Sequence, residues 1–144
     1  MFSKACEYGI RASIFITEQS LKDNKVSLKD VAQAIESPEA YTSKILQQLV
    51  KSKIIRSDKG PTGGFSIEKQ KLDKITLSAI VTAIDGDAIF NGCGLGLKQC
   101  SEVKPCPVHH QFKSIRENLK QMLETTTIVS LAHNLQQGLS FLKS

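Results

Sequence analysis

Residues 27–67 read SLKDVAQAIESPEAYTSKILQQLVKSKIIRSDKGPTGGFSI, and this stretch decides the fold. Apolar residues recur at helical spacing after Ser27, which predicts a short helix capped by that serine. Ser37 as N-cap and Pro38 as first helical residue predict a second helix that ends near Ser52. Two helices joined by a tight turn are typical of a helix-turn-helix, although other packed helix pairs share the pattern.

A predicted hairpin follows the second helix directly. Residues 54–57 alternate as a short strand, residues 58–64 (DKGPTGG) form a glycine-rich loop, and residues 65–67 return as a second strand. A hairpin in this position is the wing of a winged helix. The lysine and the glycines of its loop suit a close approach to phosphate groups.

The charge of the chain agrees with a nucleic-acid partner. The 144 residues carry a formal net charge of +5, and residues 1–71 hold twelve Lys and Arg against eight Asp and Glu. A basic patch on a small domain indicates a polyanion, whereas a merely solvated helix face is the plainer alternative. The candidate DNA contacts are Ser27, Lys29, Tyr41, Thr42, Ser43, Lys44, Gln47, Lys59 and Thr62.

Four more helices are predicted outside this stretch, over residues 3–19, 76–85, 107–125 and 126–142. The third of these has apolar residues in steps of four, three, four and three, a heptad seam that predicts pairing with a partner helix or packing within the chain. The seam consists of Val108, Phe112, Ile115, Leu119 and Met122.

A second motif lies between the wing and the heptad helix. Three of the four cysteines, Cys93, Cys100 and Cys106, fall in one glycine-rich segment, and His109 follows three residues after the last. Thiolates and an imidazole are ligands for zinc or for an iron–sulfur cluster. The spacing contains no C-x-x-C pair of the kind that structural zinc sites show. Cys6 stands alone on a helix face and is interpreted as a packing residue.

The composition and the motifs of the chain exclude several classes of protein. The amino terminus shows no secretory pattern and no apolar run approaches a membrane span, so we expect a cytoplasmic protein whose thiols are reduced. The sequence offers no nucleotide-binding loop and no paired carboxylates, so we expect a protein that is not an enzyme.

These motifs together resemble the IscR/NsrR/CymR superfamily of bacterial winged-helix regulators. The resemblance covers nearly the whole chain and rests on five segments in the same order. They are KACEYGIRA at residues 4–12, YTSKILQQL at 41–49, KGPTGGF at 59–65, the three cysteines, and TIVSL at 127–131. In the second segment, Ser43 stands where IscR-like proteins carry a glutamate that discriminates between DNA sites.

The resemblance implies a homodimer that pairs through its long helix and binds pseudo-palindromic DNA. CymR-like members lack the three cysteines, so this chain is similar to the IscR-like and NsrR-like branch that holds an iron–sulfur cluster. IscR-like ligation would use Cys93, Cys100, Cys106 and His109, whereas NsrR-like ligation takes an acidic residue from the first helix, here Glu7. We expect [2Fe–2S] in the first case and [4Fe–4S] in the second.

The sequence therefore predicts a mainly α protein with a small β wing. Residues 1–72 would form a winged helix-turn-helix DNA-binding domain, and residues 73–144 would carry the cluster loop and the dimerisation helix. The expected function is a transcriptional regulator, by resemblance a repressor, that senses redox state, nitric oxide or iron–sulfur status. The alternatives are a metal-free thiol sensor and a cluster-bearing electron-transfer protein.

Overall fold

The computed structural model describes residues 1–143, and within them the chain forms seven α-helices and one two-stranded sheet. None of these helices is long and apolar enough to cross a membrane. The helices are α1 (Lys4–Leu21), α2 (Leu28–Ile35), α3 (Glu39–Lys51), α4 (Leu77–Asp85), α5 (Ala88–Asn91), α6 (His109–Thr125) and α7 (Ile128–Gln136). The strands are β1 (Arg56–Asp58) and β2 (Gly64–Ser66).

Helix α1 is the centre of the fold, because α2, α3, α4 and α7 all pack against it. The residues that α1 buries include Cys6, Ala12, Ile14 and Ile16. Ser3 caps the helix by accepting a hydrogen bond from the Cys6 amide at 3.0 Å. Cys6 itself is fully buried in the core, as predicted for a packing residue. Burial, reinforced by the negative charge of Asp85, raises the pKa of the Cys6 thiol to about 12.

Helices α2 and α3 form the predicted helix-turn-helix. Ser27 caps α2 in a capping box, in which its hydroxyl accepts from the Asp30 amide at 3.1 Å and the Asp30 carboxylate accepts from the Ser27 amide at 3.0 Å. The predicted start of α3 was one residue early. The Ser37 amide donates to Ala32 O at 3.0 Å and so belongs to the end of α2, which leaves Pro38 as the N-cap of α3.

The wing is an antiparallel hairpin in which Arg56 pairs with Ser66 and Asp58 with Gly64. Strand β1 begins two residues later than predicted, because Ile54 and Ile55 enter the core before it. Strand β2 begins one residue earlier than predicted. Val26 bonds to Phe65 through both of its backbone groups, at 3.0 and 2.7 Å. The loop between α1 and α2 thereby fixes the wing to the helix-turn-helix.

The second half of the chain is continuous with the first in the core. Leu123 of α6 and both Ile128 and Ala132 of α7 join the same buried cluster as the residues of α1. The short helix α5 was not predicted, and α7 ends at Gln136 instead of continuing to residue 142. Since both halves share one core, we propose the division near residue 72 as a division of roles rather than of folding units.

A buried hydrogen bond between α1 and the wing gives a first prediction. The Ser20 hydroxyl accepts from the Ile67 amide at 2.9 Å, and Ser20 is almost fully buried. Ser20→Ala leaves that amide without its partner, so we expect the free energy of unfolding to fall by about 1–3 kcal/mol. Urea denaturation measures this loss. Ser114→Ala, on an exposed turn of α6, is the control, and equal stability of the two variants would contradict the prediction.

Candidate functional site

The cysteine loop, residues 92–108, lies against one face of helix α6. Adding a Cβ to Gly94 would bring it within 2.5 Å of the Phe112 ring, so the loop backbone packs directly on that side chain. Lys113 forms an ion pair with Glu102 of the loop. The loop therefore contacts two neighbouring turns at the start of α6, although it contains no regular secondary structure.

Cys100, near the middle of the loop, contacts His109 at the start of α6. The Cys100 Sγ atom lies 3.3 Å from His109 Nδ1, and His109 is the first residue of α6. His109 is only 3% exposed, and its other ring nitrogen, Nε2, is buried without a hydrogen-bond partner. A buried polar atom without a partner is uncommon and calls for a ligand, an ion or a water molecule. His110, the next residue, is exposed, and its ring lies edge-on to that of His109 with centroids 5.1 Å apart.

Cys93 occupies the first turn of the loop, where backbone amides point at its sulfur. The Leu95 amide donates to Cys93 Sγ at 3.4 Å. The amides of Leu95 and Leu97 lower the pKa of the Cys93 thiol, and the Cys106 side chain adds a smaller contribution in the same direction. Such donors stabilise a thiolate, the form in which cysteine binds metals.

Of the predicted ligands, Cys100 and His109 are in contact, and Cys106 lies near enough to Cys93 to lower the pKa of its thiol. Within residues 1–143 no group of three or more Cys, His, Asp or Glu side chains converges on one point as a single metal ion requires. A binuclear iron–sulfur cluster takes two protein ligands per iron. In residue type, the donor set of three thiolates and one imidazole fits such a cluster.

Glu7, the alternative fourth ligand, lies on the first turn of α1. Its carboxylate forms an exposed ion pair with Lys4 Nζ at 3.5 Å. Within one chain, the structure therefore brings His109 rather than Glu7 to the cysteines.

The heptad seam of α6 is largely uncovered. Phe112, Ile115 and Met122 are 38%, 62% and 45% exposed, although α6 buries Leu123 on its other side. Of the two alternatives that the sequence left open, packing within the chain accounts for only part of this stripe. An exposed apolar stripe on a helix indicates a contact with another protein surface.

The outer face of α3 carries most of the predicted DNA contacts. Lys44 and Gln47 are exposed, and Ser43 is half-buried beside them. Gln47 Nε2 donates to Ser43 Oγ at 3.4 Å, so these two side chains would act together. Tyr41 is half-buried and packs edge-on against Tyr8, with ring centroids 5.6 Å apart.

One predicted contact needs correction. Thr42 is fully buried and its hydroxyl donates to Pro38 O at 2.9 Å, so it cannot reach DNA in this conformation. Ser27 is exposed, but the capping box already uses its amide. The Asp30 carboxylate also occupies the positive end of α2, and the neighbouring Lys29 is exposed.

The tip of the wing is exposed at both Lys59 and Thr62. Behind it, Asp58 accepts hydrogen bonds from Lys25 Nζ and Arg56 Nε, each at 2.9 Å. These cations lower the pKa of the Asp58 carboxyl group, with the Lys25 contact as the larger cause. The positive charges of Lys25 and Arg56 thereby balance the negative charge of the Asp58 carboxylate. Lys59 adds a further positive charge at the tip.

Sequence reasoning missed Arg116 as a member of the site. Its guanidinium donates to Gly92 O at 2.6 Å and lies 3.4 Å from Cys100 Sγ through both terminal nitrogens. The sequence did contain an indication of this role. Arg116 follows His109 by seven residues, which places both on the same face of a helix.

Comparisons with known proteins agree on one family. The Rrf2 model, described as an iron-dependent transcriptional regulator, matches residues 2–134. A relative from Aquifex aeolicus (strain VF5), which carries the provisional name of an HTH-type transcriptional regulator, is 31% identical over 91% of this chain and 90% of its own length. The HTH-type transcriptional regulator IscR of Yersinia pseudotuberculosis (strain IP 31758) is 24% identical over 88% of this chain and 76% of its own.

Solved structures show the same fold. CymR of B. subtilis superposes with a TM-score of 0.75 at 22% identity, covering 92% of this chain and 96% of CymR. T. potens IscR gives a TM-score of 0.74 at 16% identity, covering 99% of this chain and 93% of IscR. The predicted winged-helix fold and the predicted resemblance are therefore confirmed. The chain belongs to the Rrf2 family of transcriptional regulators and is not an enzyme.

Proposed function

We propose that this chain is a homodimeric DNA-binding regulator whose activity depends on an iron–sulfur cluster held by Cys93, Cys100, Cys106 and His109. The observation that carries the proposal is the contact between Cys100 and His109, because it joins the cysteine loop to the first residue of α6. The description of the Rrf2 family as an iron-dependent transcriptional regulator supports the same proposal.

Different residues of the chain would hold different sides of the cluster. Cys93, with amides directed at its sulfur, and Cys106 would hold one side, and Cys100 and His109 the other. The loop backbone at Gly94, packed on Phe112, would keep the site against α6. When bound, the cluster supplies a one-electron redox centre with iron that nitric oxide or oxidants can attack. We propose [2Fe–2S], the cluster expected for IscR-like ligation by three cysteines and one histidine.

The link to DNA would run through α6. His109 begins this helix, so a change in its ligation alters the end of the helix that carries the exposed seam. A ligand shifts a conformational equilibrium only by its different affinity for the two states. We propose that cluster binding favours one arrangement of the paired α6 helices, and with it one spacing of the two α3 helices on a pseudo-palindromic site.

Anaerobic purification with iron and sulfide analysis tests the cluster directly. We expect a brown protein with about two iron and two sulfide per chain, and gel retardation of promoter DNA that changes when the cluster is removed. A colourless protein without iron would sink the cluster proposal. Retardation that is identical with and without the cluster would sink the proposed link to DNA.

The wing gives a prediction about affinity. Lys59 is an exposed cation at the wing tip, placed to meet a phosphate group. We expect Lys59→Ala to weaken binding to all DNA sequences and to reduce the slope of log affinity against log salt by about 1 per protomer, or about 2 for the dimer. Fluorescence anisotropy over a salt series measures both. Lys74→Ala, an exposed lysine outside the wing and α3, is the matched control.

Gln47→Ala should behave differently, because Gln47 lies on the outer face of α3 with Ser43. We expect a changed preference among sites with the salt slope preserved, and the same result for Ser43→Ala. If Lys59→Ala changed site preference and kept the slope, the assignment of the wing lysine to phosphate would be wrong.

A metal-free thiol sensor is the second candidate, and one observation favours it. The Cys106 side chain stabilises the Cys93 thiolate, so the two thiols are neighbours. An oxidant could remove two electrons and two protons from them and leave a disulfide. This candidate predicts a colourless protein whose DNA affinity responds to peroxide, whereas the cluster proposal predicts colour and iron.

A further inference from the structure

Arg116 is the one charged side chain of α6 that reaches two separate points of the cysteine loop in the described part of the chain. Its Nη1 atom donates to Gly92 O at 2.6 Å, at the beginning of the loop. Both Nη1 and Nη2 lie 3.4 Å from Cys100 Sγ, near the middle of the loop. Arg116 is half-buried, so water competes only partly for these contacts.

The chemistry of these contacts is directional. A guanidinium group only donates hydrogen bonds, so the Cys100 sulfur must accept from it. An accepting sulfur is also what a metal-bound thiolate provides. Donors to a ligand sulfur, together with a nearby positive charge, stabilise the more negative reduced state of a cluster.

We propose that Arg116 is a positioning residue for the cluster loop, which fastens Cys100 and Gly92 to helix α6 and raises the reduction potential of the cluster. The planar fork of arginine suits this task because one group serves a carbonyl and a sulfur at once. The loop would then move with α6 as one body, since the fastening point lies two turns beyond His109. This inference rests on the proposed function for the potential, but the fastening of the loop does not require a cluster.

The test uses the full-length dimer with three variants, Arg116→Ala, Arg116→Lys and Arg116→Gln. Lys120→Ala is the matched control, since it removes one positive charge from an exposed position one turn further along α6. The first readout is amide hydrogen exchange of residues 92–100 in chelator-treated, metal-free protein. The second is the reduction potential of the loaded protein, from an anaerobic redox titration followed by visible absorbance.

We expect Arg116→Ala to speed exchange in residues 92–100 by about tenfold, and Lys120→Ala to leave it unchanged. At a given applied potential, we expect the ratio of reduced to oxidised cluster in Arg116→Ala to be about tenfold lower than in wild type. For a one-electron couple this corresponds to a reduction potential about 59 mV lower. Lysine keeps the charge and glutamine keeps a donor, so both variants should lie between wild type and alanine in potential.

Three results would overturn the inference in different ways. Unchanged exchange in Arg116→Ala would show that the arginine does not hold the loop. Faster exchange with an unchanged potential would reduce Arg116 to a structural contact and refute its influence on the cluster. If wild-type protein takes up no cluster, the proposed function fails, and the exchange measurement alone still decides whether Arg116 fastens the loop.

Discussion

Cys100→Ala is expected to abolish the visible absorbance of the anaerobic protein and to remove its iron and sulfide completely. Cys100 is the sulfur that joins the loop to His109 and Arg116, so its loss removes a cluster ligand and the central contact of the site. Iron, sulfide and the absorption spectrum are measured on protein reconstituted under identical conditions. DNA affinity of the variant should equal that of the cluster-free wild type.

Cys6→Ala is the matched control for this substitution. Cys6 lies in the core rather than in the loop, so the variant should lose some stability and keep its cluster. If Cys100→Ala retained wild-type iron content, or if Cys6→Ala lost its cluster while folded, the assignment of the ligands would be wrong.

The fourth ligand can be settled by the same assay. His109→Ala should change the spectrum or shorten the lifetime of the cluster, whereas Glu7→Ala should do little, because Glu7 pairs with Lys4 within the chain. The reverse result would favour NsrR-like ligation, with [4Fe–4S] in place of [2Fe–2S].

Ile115→Glu is expected to convert the protein into a monomer and to lower its affinity for a full DNA site by at least about 100-fold. Ile115 is 62% exposed at the middle of the seam. A carboxylate at this position would be buried between two helices without a partner, and the avidity of two linked half-sites would be lost. Light scattering gives the mass, and fluorescence anisotropy on full and half sites gives the affinity.

Gln121→Glu adds the same charge to an exposed position on another face of α6 and should leave the dimer intact. A wild-type protein that is monomeric at micromolar concentration would refute the proposed dimer. A dimeric Ile115→Glu variant would place the interface elsewhere.

Local side-chain chemistry explains which parts of the fold could be predicted from the sequence. Ser27 caps α2 as expected, because the cap needs only one hydroxyl and a backbone amide three residues later, and Thr76 caps α4 in the same way. The prediction placed Ser37 at the N-cap of α3, but the Ser37 amide donates a hydrogen bond to the end of α2 instead. The end of α7 was misplaced because a row of leucines continues beyond the point where Gly138, with φ of +71°, breaks the helix.

The candidate site was predictable in its residue types and not in its arrangement. Cysteine spacing and His109 indicated a metal-binding loop, but the contact of Arg116 with Cys100 depends on how an irregular loop lies on α6. Burial of Thr42 likewise depends on packing, since an exposed and a buried threonine in the first turn of a helix look alike in sequence. Such tertiary contacts follow no local period that a sequence pattern can reveal.

The buried thiol of Cys6 makes the protein convenient for counting its reactive cysteines. With a pKa of about 12 and complete burial, the Cys6 side chain is almost never a thiolate at neutral pH. Alkylating reagents should therefore not modify Cys6 while the chain is folded. Native metal-free protein should therefore take up three equivalents of reagent, and denatured protein four. Each equivalent lost when iron is bound then reports on Cys93, Cys100 or Cys106 alone, without any cysteine having to be mutated.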